Sequence, residues 1–376
     1  MHEKAVGNYA DSCRNGPRRT VFFVRKAFRG CAFMAFSPKS FFMRNIIITY
    51  ILAMTAMACQ VQERNDAFVQ GQLWLDDEHN MINAHGGGLL YHDGIYYWYG
   101  ECKQGETVLR ENATWECYRT DVVGISCYSS KDLLHWHNEG IVLAAERADS
   151  LHDLHPSMVV ERPKVIYNAR TGKFVMWMHI DSPDYSKACA GVAVSDSPTG
   201  QFTYMGSFRP NGEMSRDQTL FVDDDGRAYQ VCSSEDNATM YVHLLSDDYL
   251  KPTETLTRNF VDKYREAPAV FKHGRKYYLL TSGCSGWDPN MADIAVADSM
   301  LGKWTQLGNP CVGEDADKTF YGQSTYVQPV VGKPGVYVAM FDRWNKTDLP
   351  DSRYLWLPLT FEDGKPKIIW NDGWMF

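Results

Sequence analysis

The chain has 376 residues, with 38 Lys and Arg, 46 Asp and Glu, and 13% aromatic residues that include 21 Tyr and 11 Trp. Residues 1–58 hold 9 basic and 2 acidic residues, which leaves 29 basic against 44 acidic beyond them, a formal −15. Such a surface repels phosphate backbones and anionic bilayers, so nucleic acid and the membrane surface are excluded as expected partners.

Residues 1–42 are basic and aromatic without periodicity. They read as an over-long start with the true initiator at Met43, an ordered extension being the alternative. Met43-Arg44-Asn45 precedes an apolar run from Ile46 to Met54, and Thr55-Ala56-Met57-Ala58-Cys59 follows. A short basic start, an apolar stretch and small residues at its end describe a secretory signal peptide. The run is too short for a membrane span. Residues 1–58 are therefore expected to be a leader, 59–67 a polar tether, and 68–376 a single domain large enough for a sizeable core. Ala56-Met57-Ala58-Cys59 resembles a bacterial lipidation box but lacks the usual Leu, and cleavage after Ala58 fits nearly as well. Either route predicts export to the periplasm or outer membrane of a bacterium, and only the lipidation route gives a membrane attachment, the anchor at Cys59.

Beyond the tether the strand signals are short, β-branched or aromatic, and separated by turn residues. Blade one reads as Gly87–Tyr91, an Asp-Gly turn, Ile95–Gly100, Gly124–Ser129 and Gly140–Leu143. Blade two reads as Pro163–Tyr167, Lys173–Met178 and Ala190–Val194, and blade three as Gln218–Phe221 and Arg227–Val231. Blade four reads as Ala269–Phe271, Lys276–Leu280 and Asp293–Val296, and blade five as Thr325–Val327, Gly335–Met340 and Arg353–Pro358. The turn Asp223-Asp224-Asp225-Gly226 lacks the later ligands of a calcium loop and is a polar hairpin tip. Seven cysteines follow Cys59, an odd number without a CxxC pair or zinc-like spacing, so at least one thiol stays free and most are expected in the core.

A recurring turn punctuates these strands. It begins at Ser130-Lys131-Asp132, Ser195-Asp196-Ser197, Ser246-Asp247-Asp248 and Ala297-Asp298-Ser299, and Asp132, Asp196, Asp247 and Asp298 lie 64, 51 and 51 residues apart. A period of roughly 50 residues built from short strands predicts an all-β, five-bladed β-propeller. That fold gathers the first strand of every blade around one axial pocket.

The residues at the blade entrances are polar and fall at equivalent places: His85-Gly86, Glu161-Arg162, Arg216-Asp217, Arg265-Glu266 and Gln323. Ion pairs between blades would explain any one of them. Together they form a ring suited to glycoside hydrolysis, in which a protonated carboxyl serves the leaving oxygen and an opposing group serves water. Glu266 precedes Ala-Pro-Ala-Val, which would desolvate it, and Glu161 is the candidate like-charge neighbour that lifts its pKa. Exposed Tyr and Trp would suit the C–H faces of sugar rings, so the expected partner is an oligo- or polysaccharide and the expected state a monomer. No cofactor is called for; a structural cation is left open but not indicated, and any metal ligand is unassigned.

Ile82-Asn83-Ala84-His85-Gly86-Gly87-Gly88, Tyr97-Trp98-Tyr99-Gly100-Glu101, Glu161-Arg162-Pro163-Lys164-Val165, Ser215-Arg216-Asp217 and Arg265-Glu266-Ala267-Pro268 together resemble glycoside hydrolase family 43, above all its exo-β-1,3-galactanase-like members. The resemblance covers roughly residues 70–376. It implies hydrolysis with inversion, Glu266 as general acid, Glu161 as the carboxylate that tunes and orients it, and Glu101, Tyr185 and Asp217 as holders of sugar hydroxyls. Most of the wider family carries an Asp base at the blade-one entrance, where this chain has His85-Gly86. The galactanase-like members lack it too and offer a Gln, here Gln323, to position water or act as an unusual base; Glu101 and His85 are the fallback bases. Trp287 either stacks on sugar or belongs to the core. A family 43 arabinofuranosidase, xylosidase or galactofuranosidase, and a non-catalytic glycan-binding propeller, are the alternative readings.

Overall fold

A computed structural model describes residues 67–110 and 115–376. The expected leader, Cys59 and all of the tether but Ala67 lie outside the described residues. Those residues fall in one compact unit, Glu63–Phe376. It consists of five successive antiparallel sheets, the blades of a five-bladed β-propeller. Blade one is His85–His92, Ile95–Glu101, Gly124–Ser130 and His137–Ala144, with a small strand pair, Val108–Leu109 and Tyr118–Arg119, inserted after its second strand. Blade two is Val159–Asn168, Lys173–Asp181, Cys189–Ser195 and Thr203–Phe208. Blade three is Gln218–Val222, Ala228–Ser234, Thr239–Leu245 and Pro252–Asn259. Blade four is Arg265–His273, Lys276–Gly283, Asp293–Ala297 and Thr305–Gly308. Blade five is Gln323–Pro329, Tyr337–Arg343, Arg353–Glu362 and Lys365–Ile369, and Cys311–Val312 adds a parallel strand at its rim.

The core lies between blades rather than within them. Five clusters of buried apolar side chains fill the five blade interfaces, from Tyr99, Val165 and Met176 between blades one and two to Trp98, Met340 and Trp356 between blades one and five. A middle strand is therefore covered on both faces and reads as a continuous apolar run, as in Phe174–Met178. Outer strands show no such run. Pro252–Asn259 has no buried residue, which is why it leaves no apolar signal, whereas the blade-one rim strand His137–Ala144 buries Val142 and Leu143 and was predicted; Thr239–Leu245, although apolar, is absent from the predicted strands.

The recurring turn joins the third strand of a blade to its fourth. Ser130 Oγ accepts from the backbone of Asp132 and Leu133, and Asp132 Oδ1 accepts from Leu134 and His135. Asp248, two residues past Ser246, does the same for Leu250. Asp248, rather than Asp247, is thus the counterpart of Asp132. Trp136, Phe202 and Trp304 then bury against the blade and end the turn. The Asp223 turn is a hairpin tip as expected, with Lys272 Nζ 2.6 Å from Asp223 and 2.8 Å from Asp224.

The first strands of blades one, two, four and five share a register break at the axis, between His85 and Gly88, Glu161 and Lys164, Glu266 and Ala269, and Ser324 and Tyr326. In three of them the residue after the polar side chain is left-handed: Gly86 at φ 58°, Arg162 at 53° and Ala267 at 52°. A bulge of this kind re-aims side chains and locally ends pairing. For the non-glycine residues it costs about 1–2 kcal/mol each.

The ring closes without a disulfide, since all seven described cysteines are free and six of them are buried. Phe68–Val69 pairs with Gly373–Trp374, and Phe68, Trp74 and Trp98 pack on Trp356. Gln70 fixes this closure: its Nε2 donates to Phe68 O at 3.1 Å and Trp356 O at 2.8 Å, and its Oε1 accepts from Trp356 N at 2.7 Å. Gln70→Leu strands the buried N–H of Trp356, whose carbonyl keeps the Trp374 Nε1 donor at 2.6 Å. It should lower the unfolding free energy by about 1–3 kcal/mol, read from the denaturant midpoint.

Candidate active site

The bulged entrances converge on one cavity of about 510 Å³. Its walls include Glu161, Arg162, His179 and Tyr185 from blade two, Asp217 and Asn237 from blade three, Glu266, Cys284 and Trp287 from blade four, and Gln323 from blade five. Of the residues predicted from sequence, Glu161, Tyr185, Asp217, Glu266, Trp287 and Gln323 are therefore brought together. His85 and Glu101 are not.

His85 is 1% exposed. Its Nδ1 faces Asp342 at 3.2 Å, and its ring stacks on Tyr354 at 4.9 Å. Glu101 is also buried, on a separate small cavity behind Glu161. Its Oε2 pairs with Lys103 at 2.6 Å and its Oε1 accepts from Arg162 N at 2.9 Å. Neither reaches the space where sugar or water would sit, so neither acts as a hydroxyl holder or fallback base in this geometry. Both lie on the side of the bulge that packs inward between blades, a distinction that residue type alone does not encode.

Arg162 organises the cavity floor. Its guanidinium meets Asp217 at 3.0 Å, Gln323 Oε1 at 2.6 Å and Ser324 O at 3.1 Å. The adjacent residues in each acidic–basic doublet do not pair with each other: Arg216 instead meets Asp236, and Arg265 bonds Thr281. Asp217 also accepts from Ala267 N at 3.0 Å, which ties the third entrance to the fourth.

The two key carboxyls have opposite environments. Burial raises the pKa of Glu266 to about 7, with the Asp217 charge adding to it; Cys284 and Arg162 oppose, and Glu161 is only a minor like charge. Asp217 rather than Glu161 is thus the main electrostatic neighbour. Asn237 Nδ2 donates to Glu266 Oε1 at 3.0 Å from the end of a left-handed turn, Glu235-Asp236-Asn237. Burial also acts on Glu161, but the His179 hydrogen bond and the charges of Lys103 and His179 outweigh it and hold Glu161 at about 2. Tyr185 Oη donates to Glu161 Oε1 at 2.9 Å, and His179 Nδ1 lies 3.3 Å from Oε2. His179 in turn meets Asp181 at 2.8 Å and is raised to about 9, so it is an imidazolium at neutral pH. Glu161, His179 and Asp217 place ligand atoms within 4.8 Å of one another. With His179 protonated and Asp217 taken by Arg162, that set already holds its positive charge and offers a cation little.

Gln323 has a fully assigned amide. Its Oε1 accepts from Arg162 and, at 3.0 Å, from Trp344 Nε1, while its Nε2 faces Ser282 Oγ at 3.1 Å and Glu266 Oε2 at 3.4 Å. Guanidinium and indole N–H groups can only donate, so the oxygen must face them. Trp287 lines the wall edge-on to Trp344 at 5.2 Å. Arg162, His179, Asn237 and Cys284 are site residues that sequence reasoning missed. Arg162 alone carried a signal, as the basic residue beside Glu161 in the entrance ring.

The sequence profile of Glycosyl hydrolases family 43 matches residues 102–338. A solved family 43 β-1,3-galactosidase with galactodeoxynojirimycin is 45% identical, covers 82% of this chain and 100% of its own, and superposes with a TM-score of 0.77. A second β-1,3-galactosidase is 42% identical over 83% of this chain and 64% of its own, at 0.76. The exo-β-1,3-galactanase of Phanerochaete chrysosporium with β-1,3-galactotriose is 34% identical over 83% and 68%, at 0.74. No curated protein matches the chain.

The environment of Glu266 is directly testable. Its carboxyl band in difference infrared spectra should titrate near pH 7, and Asp217→Asn should shift the midpoint down while leaving it above the ordinary carboxyl range, because burial remains.

Proposed function

The chain belongs to glycosyl hydrolase family 43, and from that premise we propose that it is an exported, inverting exo-β-1,3-galactosidase or galactanase that trims galactan side chains of plant-type polysaccharides. The galactose preference rests on the solved relatives named above as β-1,3-galactosidases and exo-β-1,3-galactanases. Export rests on the leader-like sequence of residues 43–58, with Cys59 as the point of lipidation or the first residue after cleavage.

The observation that carries the mechanism is the split between two carboxyls on one cavity. Glu266, near 7, is the group that can hold a proton at neutral pH and give it to the departing glycosidic oxygen. Glu161, near 2, stays ionised and, through Tyr185 and His179, fixes the side of the pocket that meets the sugar hydroxyls. Asp217, held by Arg162, accepts from hydroxyls and keeps negative charge near Glu266. Gln323 positions the water, which gives up its proton to solvent at the cavity mouth as its oxygen bonds the anomeric carbon. Its imidic tautomer would carry a proton on Oε1, into the two obligate donors Arg162 and Trp344, so the amide form is the stable one. Inversion then delivers the first-formed sugar as the α-anomer from a β-linkage.

Three measurements test this. Proton NMR of a β-1,3-galactan digest should show α-galactose first. Glu266→Gln should reduce kcat by about 10²–10⁴-fold, whereas equal inertness of wild type and variant on a wide panel of glycosides would leave a glycan-binding propeller as the reading. The alkaline limb of kcat/KM should fall with an apparent pKa near 7, because only the protonated form of Glu266 is active. The same shift has a stability counterpart. A carboxyl raised in the folded state takes up its proton on folding, so its contribution is present below the ordinary carboxyl pKa and lost as pH rises through about 7. Glu266→Gln should therefore melt at or above the wild-type temperature at pH 8.

A further inference from the structure

Blades two, three and four each supply several residues to the cavity wall, while among the described residues blade five supplies Gln323 alone and blade one Trp115 alone. Trp115 belongs to the segment inserted after the second strand of blade one, just before the short strand Tyr118–Arg119. It reaches across the cavity mouth. Its ring stands edge-on to Tyr185 at 5.5 Å, and its Cε3 lies 3.5 Å from where a Cβ on Gly286 would sit. One aromatic side chain thus touches blade two and blade four at once.

The next residue explains how that reach is held. Glu116 Oε2 meets Lys346 Nζ at 2.6 Å, and the same Nζ meets Asp288 Oδ1 at 3.0 Å. Lys346 lies on the blade-five loop after Arg343, and Asp288 on the blade-four loop that carries Gly286 and Trp287. Leu349 N also donates to Thr107 Oγ1 at 2.8 Å, a second tie between the inserted segment and the blade-five loop. The base of the insertion is firm, since Cys117 is fully buried and Arg119 donates to Ser157 O and Met158 O.

We propose that Trp115, clasped in place by the Lys346 bridge between Glu116 and Asp288, is the specificity wall that ends the sugar pocket on its blade-one side. This deepens the exo-glycosidase reading and rests on it. With blade one walled off, a glycan chain can extend only over the opposite rim, past Asp184, Asp236 and Asn237. The cavity therefore takes a chain end and not an internal unit. Trp115 acts by shape and apolar contact with the terminal sugar, and Lys346 is a positioning residue that acts through it.

The clasp is exposed, so its strength is modest and salt-dependent, and that gives a readout which a merely structural residue would not move. Trp115→Ala should raise KM for β-1,3-galactotriose about tenfold with little change in kcat. Lys346→Met should raise KM about threefold at low salt. Wild-type KM should climb with ionic strength toward that of Lys346→Met, whose own KM should stay flat. Unchanged KM in both variants at every salt concentration would overturn the proposal. Hydrogen exchange supplies an arm independent of turnover: backbone amides of residues 115–119 and 285–290 should exchange faster in Lys346→Met, and equal exchange would refute the clasp. Failure of the wild type to bind galactodeoxynojirimycin in calorimetry would instead count against the galactose reading, with the exchange result still deciding the clasp.

Discussion

The Arg162 guanidinium is the interaction on which the site depends. It stands at the meeting point of the blades, and its contacts reach blade three through Asp217 and blade five through Gln323 and Ser324. Its backbone does as much: the amide donates to Glu101 of blade one, and the carbonyl accepts from Gln218 of blade three at 2.6 Å. A cation this deeply placed is tolerable only because carboxylates surround it, with Asp217 the largest contributor to keeping it charged. Removing any one partner would leave the others facing an uncompensated charge. The left-handed φ of Arg162 is the backbone cost of bringing that charge to the axis, and the same bulge turns Glu161 toward the cavity.

From that centre the two carboxyls acquire different characters. Glu161 has a cation line behind it, with His179 held by Asp181 on one side and Lys103 on the other, so burial does not prevent its ionisation. Glu266 has Asn237, Gln323 and Cys284 around it, groups that are neutral, while the one nearby guanidinium is spent on Asp217. Two glutamates of equal intrinsic acidity are thus driven apart by roughly five units, from about 2 to about 7. An acid and a fixed anion result from neighbours rather than from the residues themselves.

The blade count, most of the middle strands and the carboxyls of the cavity wall were legible in the sequence because each follows from a local rule. A strand covered on both faces reads as an apolar run, and a chain of such blades repeats at a fixed length. Glu161, Asp217, Glu266 and Gln323 stood out because they recur at one structural position, the first residues of each inner strand. What was not legible depends on direction and on distant partners. His85 opens the first strand of blade one and Glu101 closes its second, yet they point between blades, toward Asp342 and Lys103. Asn237 and Trp115 sit in a tight turn and in an insertion, where no repeat marks them. Pairings such as Arg162 with Asp217 join residues 55 positions apart, and adjacency in sequence suggested the wrong partners.

The entrance of blade one shows why the missing carboxylate there is not a single lost residue. Gly86 is left-handed, its N–H is given to Asp342 Oδ2 at 2.6 Å, and a Cβ at that position would lie 2.1 Å from Glu101 Oε1. Its carbonyl accepts from the buried Lys164 Nζ at 2.8 Å. The space a base would need is filled by Glu101, which holds the Arg162 backbone, and the charge a base would bring is supplied from behind by Asp342. An Asp introduced at position 86 would collide with Glu101 and loosen the very residue that presents Arg162 to Asp217 and Gln323. The corner is therefore closed to a base, and in the proposed mechanism the water falls to Gln323 and the proton to Glu266.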